Sequence, residues 1–385
     1  MRRLKVLYVC TALNRGSGGE MHPLALANHL DRSQFEFTIC VIEQASASVT
    51  EELAGTGAHL YCLDLSRRFY NPIGLIRIVY RLYRLCLELK PDIVQTHALH
   101  ANLLARPAAK WAGVRVIIAT ENTLPDIERN VVRRALVAPL HALNRLLDRS
   151  TQRIVVVSEC VRRWTDPSGR SNKVHVIAPP FRLETFVSAP SHRPGSVAPA
   201  GAPVLGVVGR LSREKGHRFL IAAMSEILAE EPQAQLLVVG AGPLEAELRA
   251  QVEALDITGH VQFLGHVQDV KDALSRMDIL VVPSLSDAFP LVTVEGMMME
   301  LPVVGSRTGG IAEIIVAGET GLLVPPGDSA ALARACRYLL SHPEVGREMG
   351  RRGRKRVLAE FHPARFIARH EALYAGAVTD QADRR

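Results

Sequence analysis

No stretch of the 385 residues stays apolar for the roughly 18 positions that a membrane-spanning helix needs, so no spanning segment is expected. The six cysteines (10, 40, 62, 86, 160 and 336) never fall as Cys-x-x-Cys. That spacing gives no support to a zinc ribbon, a redox pair or a disulfide framework, and several of them sit inside apolar runs, where Cys acts as a small hydrophobe. A reducing cytosol is the compartment they imply. The glycine-rich turn near the start is not Gly-x-Gly-x-x-Gly. A Rossmann dinucleotide site is therefore not expected. There is no Asp-x-Asp motif, and no nucleic-acid-binding module is visible. The start, Met1 to Leu13, has a basic lead and a short apolar run. It lacks a cleavage site and reads as a first buried strand rather than a signal peptide.

What is present describes a globular chain, 48% apolar and 22% charged, long enough for two domains. Short apolar runs alternate with helical patterns. Leu4–Val9, Phe35–Ile42, Leu60–Leu63, Ile93–Thr96, Val114–Ala119 and Ile154–Val157 read as strands of a first half. Val204–Val208, Leu236–Val239, Val261–Phe263, Ile279–Val282, Val303–Gly305 and Gly321–Val324 read as strands of a second. Strands alternating with helices at this spacing make βαβ units and a parallel sheet, so the fold class is α/β with two doubly wound, Rossmann-like domains. Between them 188–203, with Pro190, Pro194, Pro199 and Pro203, has no period and reads as a linker. The expected division is 1–187, the linker, and 204–360, with 361–385 as a closing helical segment. In such sheets ligands bind beyond the carboxyl ends of the strands.

The charge is lopsided. Residues 1–185 carry a net +9 and the remainder −2, within a total of +7. An anionic acceptor, an anionic membrane surface, nucleic acid or a solvated arginine excess would each account for this. The segment Pro72–Leu89 adds Arg77, Arg81 and Arg84 to Tyr80 and Tyr83, preceded by Arg67, Arg68, Phe69 and Tyr70. Basic and aromatic residues on one amphipathic helix fit a membrane surface, as they fit a solvated face.

Chemistry concentrates at strand ends. After Val204–Val208 comes Gly209-Arg210-Leu211-Ser212-Arg213-Glu214-Lys215-Gly216, which puts Arg210 and Lys215 at a strand-to-helix turn. Cations beside the unpaired N–H groups of a helix start suit a diphosphate, or are ordinary helix-surface charges. Asp287-Ala288-Phe289-Pro290-Leu291-Val292-Thr293-Val294-Glu295 holds two carboxylates across a Phe-Pro break, with Glu295 read as opening a helix Gly296–Glu300. A carboxylate there can accept both hydroxyls of a ribose, or stabilise a helix dipole. Asp287 can be a ligand or a turn residue. Glycine turns at Gly18-Gly19, Gly240-Ala241-Gly242 and Gly309-Gly310 allow close backbone approach to a ligand, or are tight turns only. His97 and His100 share the spacing of a metal pair, but no third ligand accompanies them, and a hydrogen-bonding role for His97 fits better.

These residues, in this order, resemble the retaining glycosyltransferases of the GT-B fold, family 4 (glycosyl transferases group 1). The likeness runs from Ser17-Gly18-Gly19-Glu20 through Thr96-His97 to Asn102 and Gly209-Arg210 to Lys215-Gly216. It continues through Val239 to Pro243, Phe289-Pro290 to Glu295, Gly309 to Ile315 and Gly318 to Val324. The resemblance implies two domains facing across a cleft and a metal-independent transferase with no cofactor beyond its nucleotide-sugar substrate. It assigns Arg210 and Lys215 to the donor diphosphate, Glu295 to the ribose and Asp287 to the donor sugar. Gly18, Gly19, Gly209, Gly240, Gly242, Gly309 and Gly310 would approach the donor, together with Phe289, Pro290, Leu291 and Val292. The implied partners are a nucleotide-sugar, with UDP-sugars the commonest, and a glycan or lipid-linked acceptor. No nucleic acid is implied, and the place of work would be the cytoplasm or the inner face of a membrane. Two departures stand out. Asp287 is one methylene shorter than the family's usual Glu, and Asn122 stands where many relatives have His, which passes that role to His97. Other GT-B activities, epimerase or phosphorylase, and an inactive nucleotide-sugar-binding subunit are the competing readings.

Overall fold

The computed structural model describes residues 2–13, 21–65, 71–124, 131–187 and 202–382. Gly18, Gly19, the Arg67–Tyr70 cluster and most of the expected linker lie outside them. Among the described residues thirteen strands form two parallel sheets. In the first, β1 (Leu4–Cys10), β2 (Phe35–Val41), β3 (His59–Cys62), β4 (Ile93–His97), β5 (Val116–Glu121), β6 (Arg153–Val156) and β7 (Val174–Val176) lie in the order β3-β2-β1-β4-β5-β6-β7. In the second, β8 (Val204–Val208), β9 (Gln235–Val239), β10 (Val261–Gly265), β11 (Ile279–Val282), β12 (Val303–Ser306) and β13 (Leu322–Val324) lie in the order β10-β9-β8-β11-β12-β13. Central strands buried on both faces must be apolar throughout, and Ile279-Leu280-Val281-Val282 is buried at every position.

Each sheet reverses its strand order once, between β1 and β4 and between β8 and β11. Crossover helices leave toward opposite faces at that point, so the loops beyond the two strand ends diverge and open a crevice. The chain thus builds one such crevice in each of its two units.

The first compact unit holds residues up to Thr123, then on to Pro180, and takes the chain back from Pro363. The second spans Phe181–His362. These limits differ from a break at 187 and an end at 360. Phe181 and Phe186 are buried with Val204, Leu237 and Leu274, so this short stretch joins the second core. Phe361 meets Phe289 edge-on at 5.6 Å and holds the other limit. The helix Pro363–Ala382 returns to the first unit, where Phe366, Ile367, Leu373 and Tyr374 share a core with Val6, Tyr8 and Ile93. Buried this way, Tyr374 donates its hydroxyl to Gln95 Oε1 on β4.

The helix Pro72–Leu89 begins where Asn71 Oδ1 accepts from Gly74 N at 2.8 Å and Pro72 presets the first helical φ. Ile78, Leu82 and Leu85 face inward, while Ile73 (80%), Ile76 (71%) and Tyr80 (56%) are exposed.

Candidate functional site

Four loops meet at the carboxyl end of the second sheet. Gly209 N donates to Val239 O, and Leu211 N to Ala241 O, joining the loops after β8 and β9. Leu285 N donates to Glu214 O, and Gly310 N to Asp287 O, tying in the loops after β11 and β12. A buried loop has to pair its backbone groups, and these loops pair with one another.

The glycines make that lacing fit. Gly240 has φ +128, and a Cβ there would stand 2.0 Å from Gly209 O. One on Gly242 would meet Leu211 O at 2.5 Å, one on Gly309 (φ +50) Asp287 O at 1.9 Å, and one on Gly310 Ala288 O at 2.3 Å. The close approach that the sequence offered to a ligand is, at these four positions, an approach between loops. Gly209 differs, because its open side receives the aliphatic stem of Lys215, with Cδ 3.6 Å from the Cβ position.

Lys215 ends a short 3-10 turn, Arg213–Lys215, and Gly216 then takes a left-handed conformation (φ +69) against Pro283 O. The turn aims Lys215 into the β8/β11 crevice, where Nζ donates to Asp287 Oδ2 at 2.6 Å. The Asp287 side chain is only 11% exposed, so the pair is largely shielded from water. Arg210 is more open, at 69%, and is drawn to Glu214 at 2.6 Å, which Ser212 also approaches at 2.6 Å.

The helix after the Phe-Pro break is Leu291–Met298, not Gly296–Glu300. Pro290 (φ −74) is its N-cap and nothing after it breaks the helix, so Glu295 sits mid-helix rather than in a first turn. Glu295 is half-buried, and its carboxylate has no hydrogen-bond or ion-pair partner among the described residues. Burial pushes its carboxyl up to about 7. Val292 and Pro290 line a small cavity with Lys215 and Asp287.

A second polar centre lies at the β1/β4 crevice of the first unit. His97, last residue of β4, has Tyr8 Oη 2.7 Å from Nδ1 and Asn122 Nδ2 2.9 Å from Nε2. Burial lowers its pKa to about 4, so the ring is neutral at working pH. Asn122, read as a departure, is thereby the residue that fixes the second nitrogen of His97. His100, on the helix after β4, is exposed. Beside this pair Glu121 Oε1 accepts from Asn102 and Asn144, at 2.8 and 2.7 Å, and burial raises its carboxyl. Tyr8, Glu121, Glu214 and His217 were not singled out by sequence, since each reads as core or as a helix-surface charge.

Two family profiles match the chain, Glycosyltransferase Family 4 over residues 16–185 and Glycosyl transferases group 1 over 189–356. The chain is 34% identical over 173 residues to an N-acetyl-alpha-D-glucosaminyl L-malate synthase of Bacillus anthracis, covering 45% of each. It is 28% identical over 297 residues to a glycogen synthase of Mycobacterium tuberculosis, covering 75% of this chain and 70% of that one. The match to the first of these thus spans less than half of that relative's length. In structure it resembles HepE of Anabaena, solved in complex with UDP, with a TM-score of 0.79 at 17% identity, covering 97% of this chain and all of that one. That likeness extends over both sheets and carries the fold, GT-B.

Proposed function

The chain belongs to the glycosyltransferases of group 1 and family 4, and from that membership we propose that it moves a sugar from a nucleotide-sugar donor to a glycan or lipid-linked acceptor, with retention of anomeric configuration. The observation that carries the reading is the shielded Lys215–Asp287 pair at the β8/β11 crevice, with Arg210 on the same turn. The bond to be broken joins the anomeric carbon to a phosphate oxygen. Negative charge grows on the diphosphate as it departs, and a cation already fixed there stabilises the transition state more than the ground state. The acceptor oxygen then bonds the carbon on the same face, through an oxocarbenium-like state, and its proton passes to the departing phosphate. In this reading Asp287 holds Lys215 in place before the donor arrives and then meets the sugar, while Glu295 takes the ribose hydroxyls. HepE, similar in fold, was also solved with UDP-glucose, which favours a uridine donor.

Charge on the leaving group is balanced by Lys215 and Arg210 in this proposal, so nucleotide release should persist in EDTA. Ile73, Ile76 and Tyr80 stand exposed beside Arg77, Arg81 and Arg84 on one helix, which suits an anionic lipid surface. Cosedimentation with anionic vesicles should weaken when the three arginines become Gln; unchanged cosedimentation rejects the membrane contact.

The deciding experiment is a nucleotide-release assay over UDP-, GDP- and ADP-sugars with soluble and lipid-linked acceptors. Lys215→Ala is expected to lose about 10²–10³ in rate, the scale of one preorganised charge donor. Release at the undiminished rate in that variant would sink the assignment. Conversion of donor without acceptor would mean an epimerase, and binding without release a binding subunit.

A further inference from the structure

His217 opens the helix His217–Glu230 directly after the left-handed turn at Gly216. It is 2% exposed, and neither Nδ1 nor Nε2 has a hydrogen-bond partner among the described residues. Burial, helped by the nearby charge of Lys215, lowers its pKa to about 4, so the ring is neutral and presents one donor and one acceptor. Both are buried unpaired. An unmet polar group in a core costs the whole of its desolvation, so a Leu or Phe would fill the same space at lower cost. Packing alone gives no reason for an imidazole here.

The ring lines a cavity of about 10 Å³ that Lys215, Asp287, Ser284 and Pro283 also wall. That is room for about one water, which needs two to four polar partners. The neutral ring and the ion pair provide them.

We propose that His217 is a positioning residue of the donor site, which holds the Lys215–Asp287 pair in place through one ordered water in this cavity. The inference rests on the reading of Lys215 and Asp287 as donor-binding groups. A water between the imidazole and the carboxylate restrains Asp287, and Asp287 restrains Lys215. The cation then meets the diphosphate without reorganising, which is where preorganised charge gains its effect.

His217→Phe removes both nitrogens and keeps the ring, while His217→Gln keeps a donor and an acceptor. Thermal melts and kcat/KM for whichever donor of the panel is turned over are measured for both, with Lys215→Ala alongside. The Phe variant is expected to melt close to the parent, because an apolar ring fills the same space, yet to lose tenfold or more in kcat/KM. The Gln variant is expected to recover most of that loss. Activity of the Phe variant within twofold of the parent overturns the proposal, as does a Gln variant that folds but loses as much as Phe. A high-resolution crystal structure of the parent decides the matter independently of variant folding. One water in reach of His217 and of Lys215 or Asp287 supports the proposal, and a dry cavity overturns it. If Lys215→Ala is also fully active, the donor-site reading itself fails and the proposal falls with it; full activity of the Phe variant alone removes only the water.

Discussion

Glu295 has its proton affinity set by its surroundings, and this gives the residue a pH signature. Its carboxyl rises from the usual 4.5 to about 7 through burial. Between those values the folded state binds more protons than the unfolded one, so the group's contribution to stability falls as pH rises and is lost fully above about 7. Ribose hydroxyls donating to the ionised form would reverse that trend in the bound state. UDP-glucose has no group of its own titrating nearby, and its affinity by calorimetry should rise about tenfold from pH 6 to pH 8 as the ionised fraction of Glu295 grows. Glu295→Gln should flatten that rise and, without ligand, raise the melting temperature at pH 8 more than at pH 5. An affinity indifferent to pH in the parent would remove Glu295 from the nucleotide site. The turn that carries Lys215 was legible in sequence because its place after an apolar run is a local fact. The pairing of Lys215 with Asp287 was not, since it joins loops 72 positions apart in sequence. His217 was hidden for the same reason: its unmet nitrogens exist only once Pro283–Asp287 closes over them.

The loops at the carboxyl end of the second sheet behave as one laced element, and the glycines are its fastenings. Sequence marked those glycines correctly as sites of close approach, but could not tell a ligand from a neighbouring loop. Gly240→Ala separates these, because its Cβ would lie 2.0 Å from Gly209 O at a φ of +128 that an L residue resists. Urea unfolding should show a loss of about 2 kcal/mol or more, from strain plus displacement of the Arg210–Lys215 turn. An unchanged midpoint would mean that the lacing carries little stability. Elsewhere the element pattern was well marked where strands are central and apolar throughout. It failed at β7, a three-residue edge strand, and at the helix Leu291–Met298, whose start was hidden by weighting Gly296 over the N-cap at Pro290. Short edge elements depend on their neighbours more than on their own residues.

At the scale of the whole molecule the two units differ in how they store histidine. The first buries His22, His97 and His370 close together, with His22 4.8 Å edge-on to His97. Burial lowers all three, to about 4 for His97 and for His370 and well below the ordinary value for His22. The second unit has His217 lowered in the same sense. For such groups the unfolded chain binds more protons between about pH 4 and 6.5, so stability rises with pH through that window and is lost as pH falls. At pH 5 one histidine of this kind removes about 2 kcal/mol relative to pH 7. The first unit, with these three and His175 lowered in the same sense, should therefore be the first to yield to acid. Both tryptophans of the chain, Trp111 and Trp164, belong to that unit, so intrinsic fluorescence reports on it alone. Urea unfolding followed by Trp emission should move to lower urea between pH 7 and pH 5. Circular dichroism, which reports the helices and strands of both units, should lag behind it. His370→Gln is the clean variant, because its ring binds chiefly Phe366 O of its own helix and lies far in sequence from the donor residues. It should shrink the shift between pH 7 and pH 5 by about 2 kcal/mol. A shift of the same size in parent and variant would show that His370 keeps its ordinary pKa, and that acid sensitivity enters the first unit through another group.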